Sequence, residues 1–313
     1  MQYVDTGVPV LRKIRFDNSN IASSPYRNDI DDTIENLHYT SKCCRKIKIP
    51  EVSNQKEYEV LMFDFETYTD TKHTPYLVCC YNERRQDVYY GKDCGKQLLD
   101  SIDCNTILVA HNATYDYRFL VHYLQNNKEL ARGNTLISSK SKYNGHEIII
   151  KDSYKLITSP LRDFPKIFNL GEIEKEIMPY NLYTSKNIET KYVLISEALT
   201  HFENNQKQQF LKNIEKWDLK RDDNTYDIIE YSKRYCEIDC IVLYKGYFIF
   251  RSWILSQLQL DINNILTAAS LADQYLKKQH CYDDVYEFSG IVRMFMQRCV
   301  VGGRDCQQRE NPH

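Results

Sequence analysis

An uninterrupted apolar approach to two closely spaced acids, Leu61-Met62-Phe63-Asp64-Phe65-Glu66-Thr67-Tyr68, restricts the fold of this chain more than any other stretch. Tyr58, Val60, Leu61, Met62 and Phe63 are β-branched, aromatic or aliphatic, with no Gly or Pro among them, which is the composition of a buried strand. Side chains at i and i+2 of a strand share a face, so Asp64 and Glu66 look into one small volume. Two like charges held that close are costly unless something neutralises them, and a bound divalent cation does so. An Asp-x-Glu arises by chance about once in a chain of this length. The weight therefore rests on the stretches that follow it.

Further strands are expected at Pro75 to Tyr81, at Val88-Tyr89-Tyr90 before Gly91, and at Ile107-Leu108-Val109-Ala110. Asn144-Gly145 suits a type I′ hairpin turn, with Glu147 to Lys151 as the return strand. Helices are expected from Lys96 to Ile102 and from Thr114 to Leu124. After Ser153 the pattern turns helical: Lys191 to Trp217 with a break near Asn204-Asn205, Ile228 to Leu258, Leu266 to Lys278, and Ser289 to Val301. Strands first, then strand and helix alternating, then helices, describe an α/β domain with a mixed sheet.

With 313 residues, 42% hydrophobic and 27% charged, the chain is globular and long enough for two domains. The net charge of −2 leaves any nucleic-acid contact to local patches rather than to a global positive field. The 25 tyrosines, with frequent Lys, Ile and Asn, follow AT-rich codons and read as genome bias rather than as a stacking surface. None of the 11 cysteines falls in a Cys-x-x-Cys, so no zinc spacing emerges; reduced thiols in a cytosol-like compartment are expected. Ile241 to Leu260 is broken by Lys245 and Arg251 and is not a membrane span. The expected location is the cytoplasm, without secretion. Residues 1–55 are polar, with a basic cluster at Lys42, Arg45, Lys46 and Lys48, and read as a solvated extension.

Two later stretches bring more acids. In Ala110-His111-Asn112-Ala113-Thr114-Tyr115-Asp116, a strand ends and a helix begins, and Asp116 falls in the first turn, where the helix dipole favours a carboxylate. In Tyr235-Cys236-Glu237-Ile238-Asp239, the i, i+4 spacing sets Tyr235 and Asp239 on one helical face. Either stretch alone is compatible with a solvated helix. Together Asp64, Glu66, Asp116 and Asp239 supply four carboxylates from three separated stretches. Converged, four carboxylates would hold two divalent cations about 3.5–4 Å apart, an arrangement suited to in-line displacement at phosphate. Oxygen donors favour Mg²⁺ or Mn²⁺.

Asp64-x-Glu66, Asn112-x-x-Tyr115-Asp116 and Tyr235-x-x-x-Asp239 resemble, in order and spacing, the three motifs of the DEDD 3′-5′ exonucleases. Arg234 stands where the histidine branch places its base, so Tyr235 points to the tyrosine branch, which includes the proofreading domains of family B DNA polymerases. Asp152-Ser153-Tyr154-Lys155-Leu156, Lys175 with Ile177-Met178, Tyr180, and Gly302-Gly303 further resemble the protein-primed type 2 members of viruses and linear plasmids. Tyr154 replaces the usual leucine and Val300 the usual tyrosine.

The resemblance, over residues 58 to 304, implies an RNase H-like fold: a mixed sheet flanked by helices, followed by a helical connector. It implies an exonuclease domain at 56–260 and a connector at 261–313 leading toward a polymerase domain whose motifs these residues lack. It assigns catalytic roles to Asp64, Glu66, Asp116, Lys175, Tyr235 and Asp239, and contacts with the single-stranded DNA 3′ end to Thr67, Asn112, Tyr115, Ser153 and Tyr180. By the same resemblance, a separate polymerase domain or terminal protein would be the protein partner, with no membrane involved, and a viral replication compartment would be the alternative to a cytoplasmic location. A non-catalytic remnant binding DNA or polymerase, and a free-standing DEDD-type ribonuclease, are the alternatives.

Overall fold

The computed structural model describes residues 57–171 and 177–283, with short segments at 2–3, 14–15, 44–46 and 285–288 and residue 293. Two compact units are present, one of residues 54–273 and one of residues 1–53 with 274–313. In the second unit, Gln2–Tyr3 pairs antiparallel with Ile14–Arg15, and Cys44–Lys46 pairs antiparallel with Tyr286–Phe288. The helix expected at Ser289 to Val301, the glycine pair, and most of the basic N-terminal extension lie outside the described residues.

The larger unit is built on seven strands: β1 Glu59–Thr69, β2 His73–Tyr81, β3 Gln86–Tyr90, β4 Thr106–Ala110, β5 Gln125–Arg132, β6 Thr135–Tyr143 and β7 His146–Asp152. Their order across the sheet is β3-β2-β1-β4-β7-β6-β5. β1, β4 and β7 run parallel at the centre, and the other pairings are antiparallel. The five strands from β3 to β7 follow the RNase H-like order, three antiparallel strands in meander and then two parallel additions, as expected. Asn144 and Gly145 both take positive φ, 46° and 87°, as the I′ turn between β6 and β7 requires.

Alternation along β1 divides the core. Leu61, Phe63 and Phe65 face α1 (Cys94–Asp100), packing with Leu98, Leu99, Leu108 and Ile148. Met62 faces the opposite way with Ile107 and Val109, against Val242, Leu243 and Tyr247 of a 31-residue helix, α6 (Ile228–Leu258). Asp227 caps that helix by accepting from the N–H groups of Ile229 and Glu230. Its one glycine, Gly246, lies where an added Cβ would strike the rings of Phe164 and Phe168, so the helix packs close over them.

Two expectations need correction, and one strand was not anticipated. The helix from Thr114 is only α2, Thr114–Tyr117; beyond it, i→i+3 bonds take over and a 3-10 turn follows at Val121–Tyr123. Tyr115, Tyr117, Phe119, Val121 and Tyr123 are weak helix formers, and Phe119 and Leu120 are drawn into the α1-side core. Lys191 to Trp217 does not start as helix. Lys191, at φ 71°, ends α3 (Ser185–Thr190), then β8 (Tyr192–Leu194) pairs with β9 (Thr225–Asp227). Helices follow only at α4 Ile195–Leu199 and α5 Asn204–Lys216. β5 carries no apolar alternation because it is a largely exposed edge strand; the only cue was Gly133-Asn134, the two-residue turn before β6. The helix expected at Leu266 to Lys278 is observed as α7, Ala268–Lys278.

Candidate active site

The chain leaves β1 toward β2 on one side and β4 toward β7 on the other, so the sheet has a topological switch point between β1 and β4. Crevices beyond the carboxyl ends of strands at such points bind ligands. Here β1 pairs with β4 only as far as Met62 opposite Val109, and β4 ends at Ala110. Asp64 and Glu66 therefore lie where β1 outruns its neighbour, on the face that Met62 turns toward α6. The helix answers with Cys236 and Asp239, three residues apart on one face. The Cys236 thiol donates to the Asp64 main-chain oxygen at 3.2 Å.

Asp116 reaches the cluster from the other direction. Its Oδ1 accepts the Phe65 N–H at 3.1 Å, which pins the first turn of α2 to the backbone between the two β1 acids. Glu66, Asp116 and Asp239 are all buried. Burial pushes the Asp64 carboxyl well above its ordinary value, and the crowding negative charges push the same way, Asp116, Glu66 and Asp239 among them. Burial also raises Asp116, to about 8, against the lowering effect of the Phe65 N–H. Carboxylates gathered in this way, with Asp64 and Asp116 resisting ionisation, are a donor set that fits hard divalent cations, whose charge would restore the carboxylates. Asp64 and Asp239 line a cleft of about 470 Å³ with His111, Asn112, Tyr154 and Leu161.

Tyr235 is buried, and its hydroxyl is 2.7 Å from that of Tyr180, which is 62% exposed. The rings meet edge to face at 6.3 Å. Burial raises the Tyr235 phenol, so it stays a neutral hydroxyl. Lys175 lies outside the described residues.

On the neighbouring surface, Thr67 Oγ1 is 2.6 Å from the Tyr115 hydroxyl, which is also 2.9 Å from His73 Nδ1. Arg118 stacks over the Tyr115 ring at 4.8 Å. Asn112 turns the chain from β4 into α2 with a positive φ of 68°, a conformation asparagine tolerates, and its N–H donates to Asp152 Oδ1 at 2.9 Å. Ser153 sits differently from its expected role as a DNA contact. It is 1% exposed, donating to the Ala110 oxygen at 3.0 Å and bonded to His111 Nδ1 at 2.9 Å. Tyr154 is exposed instead, because the 3-10 turn after Asp152 points successive side chains in different directions. Sequence reasoning left His111 and Cys236 without roles. The spacing of Cys236 from Asp239 was the signal for the second, and the position of His111 at the end of β4 for the first.

The chain belongs to the organellar and viral type B DNA polymerases, whose family pattern matches residues 101–311. It is 24% identical over 272 residues to a DNA polymerase of Kluyveromyces lactis, covering 77% of this chain and 27% of that one. It is 24% identical over 228 residues to a probable DNA polymerase of Ascobolus immersus, covering 66% of this chain and 19% of that one. Among solved structures, phi29 DNA polymerase complexed with single-stranded DNA aligns with a TM-score of 0.47 at 14% identity, over 72% of this chain and 35% of that one. The chain thus spans about a quarter or less of the length of these curated relatives. Among the described residues no helix is long and apolar enough to cross a membrane.

Proposed function

We propose that this chain carries the 3′-5′ exonuclease of a type B DNA polymerase, hydrolysing the terminal phosphodiester of single-stranded DNA. Asp64, Glu66, Asp116 and Asp239 would hold two Mg²⁺ or Mn²⁺ ions. The observation that carries this reading is the meeting of four acids from three distant stretches at one switch point, where Asp116 accepts from the backbone between Asp64 and Glu66. When bound, the cations supply Lewis-acid stabilisation of the phosphate and a more acidic water.

The chain's own groups supply the rest. The Tyr235 hydroxyl, with the Glu66 carboxylate, orients the attacking water. Tyr180, exposed and bonded to Tyr235, would meet the terminal nucleotide. Tyr115, held by Thr67, and the exposed side of Asn112 guide the strand, with ring stacking worth roughly 1–3 kcal/mol per base. Water oxygen adds to phosphorus, the bond to the preceding 3′ oxygen breaks, and that oxygen takes a proton. The products are a nucleoside monophosphate and a strand one residue shorter.

In this reading residues 56–260 form the exonuclease domain, residues 261–313 connect it to polymerase machinery, and residues 1–55 extend it, at the site of DNA replication. A 5′-labelled single-stranded oligonucleotide with Mg²⁺ tests it. A ladder shortening from the 3′ end, absent with Asp239→Ala, is the expected result. DNA binding without hydrolysis would favour a non-catalytic remnant, and faster degradation of RNA would favour a ribonuclease.

A further inference from the structure

One buried side chain of the acid cluster has no part in that reaction. Cys236 has no exposed surface, and its sulfur packs 3.2 Å from the Asp64 main-chain oxygen and 3.8 Å from Asp64 Oδ2. Ligand atoms of Asp64, Glu66 and Cys236 all lie within 4.8 Å of one another. Cys240, one turn further along α6, donates to the Cys79 oxygen at 3.5 Å and also bonds the Cys236 sulfur, which steadies it from behind. The helix therefore offers the Cys236 sulfur to the acids from a fixed position.

The spacing suits a particular class of cation. Around a tetrahedral ion with sulfur at about 2.3 Å and oxygen at about 2.0 Å, those two donors stand about 3.5 Å apart. The observed 3.8 Å between Cys236 Sγ and Asp64 Oδ2 is close to that separation. Hard Mg²⁺ draws on oxygen and leaves a thiol alone, whereas thiolate selects soft or borderline ions.

We propose that Cys236 joins Asp64 and Glu66 as ligands of a thiophilic divalent cation, of the Zn²⁺ and Cd²⁺ class, at a site sharing the carboxylates needed for hydrolysis. Binding forms the sulfur–metal bond and releases the thiol proton to solvent. Because Asp64 and Glu66 are shared, the thiophilic ion excludes the working cation and silences the nuclease. The inference rests on the carboxylates forming a metal site, not on the reaction assigned to it.

The test is titration of the metal-free full chain with Cd²⁺, following sulfur-to-cadmium charge-transfer absorption in the ultraviolet. Wild type, Cys236→Ser, Cys236→Ala, Asp64→Asn and the exposed-thiol control Cys104→Ser are compared, each checked for a cooperative thermal transition. One equivalent of the absorption is expected to vanish in both Cys236 variants and to weaken about 10- to 100-fold in Asp64→Asn, while Cys104→Ser retains it. Hydrolysis supplies the second measurement, each variant taken relative to its own Mg²⁺ rate. Cd²⁺ should inhibit wild type at concentrations about 10- to 100-fold lower than Cys236→Ser. Matching absorption titrations for wild type and folded Cys236→Ala, or full retention in Asp64→Asn, would overturn the site. An intact absorption difference without any hydrolysis would leave this site standing and count against the nuclease alone.

Discussion

Two groups of charge, one buried and one half-buried, lie along α6, and they are arranged in opposite ways. At Asp239 the helix meets Asp64, Glu66 and Asp116, groups of one sign, and burial with the surrounding negative charge raises the Asp64 and Asp116 carboxyls. About three turns beyond, Arg251 grips Asp261 with two bonds, Nε to Oδ1 at 2.8 Å and Nη2 to Oδ2 at 2.6 Å. Burial alone would raise Asp261, but the Arg251 guanidinium holds it below its ordinary value. Beside them Lys151, 2% exposed, donates to the oxygens of Ile262 and Asn263 at 2.7 and 3.1 Å. Burial lowers that lysine to about 7. Both regions hold polar groups withdrawn from water, with Arg251 and Asp261 half-buried, so burial does not by itself distinguish a site from a brace. The distinction lies in compensation: the Arg251 region is complementary within the protein, whereas the acid cluster is complementary to a cation the protein must acquire.

Substitutions separate the two regions. The largest expected effect is that of Asp64→Ala, which should cut hydrolysis by on the order of 10³-fold or more while metal-free thermal stability holds or rises. A variant keeping most of its activity would remove Asp64 from the metal site. Tyr235→Phe comes next, with turnover lowered about 10²-fold and DNA affinity retained. Weakened binding at unchanged turnover would make Tyr235 a stacking group instead. Lys151→Met should leave hydrolysis in place but lower stability by roughly 1–3 kcal/mol, because two buried carbonyls lose their donor. Denaturant unfolding checks this, and a loss of activity in the still-folded variant would join the two regions functionally.

The pH-dependent effect carries the clearest sign. Asp116, raised to about 8 in the metal-free fold, binds its proton more tightly folded than unfolded. Its contribution is thus fully present below the ordinary carboxyl range and is lost as pH rises toward about 8. Lys151, lowered to about 7, penalises the fold below that pH, and the penalty disappears as pH rises toward the ordinary lysine range. Asp116→Asn should therefore gain melting temperature over wild type from pH 5 to 8, by about 2–4 °C per kcal/mol. Saturating Mg²⁺ should erase the gain by stabilising wild type. A melting difference flat across this range would show that Asp116 is not held under strain by its neighbours.

Much of the architecture was written in short-range signals. The apolar run before Asp64, the Asn144-Gly145 turn and the gap-free helical stretch from Ile228 to Leu258 each act over one turn or one strand, the range over which propensity and periodicity operate. β5 escaped notice for the same reason: an exposed edge strand has no buried face to impose alternation on its residues. The motif acids were legible as residue types at given spacings, and Asp64 with Glu66 as a pair on one face. Their gathering was not legible. It depends on β1 outrunning β4, and on α6 lying across the even-numbered face of β1 so that Cys236 meets Asp64 from 172 positions away. Tertiary packing likewise buried Ser153 and exposed Tyr154, and set the hydroxyl of Tyr180 on that of Tyr235. A sequence specifies which groups are available and which face of its own element each occupies. Strand order and helix placement decide which faces meet, because burying several thousand square ångströms of apolar surface outweighs the preference of any single polar side chain.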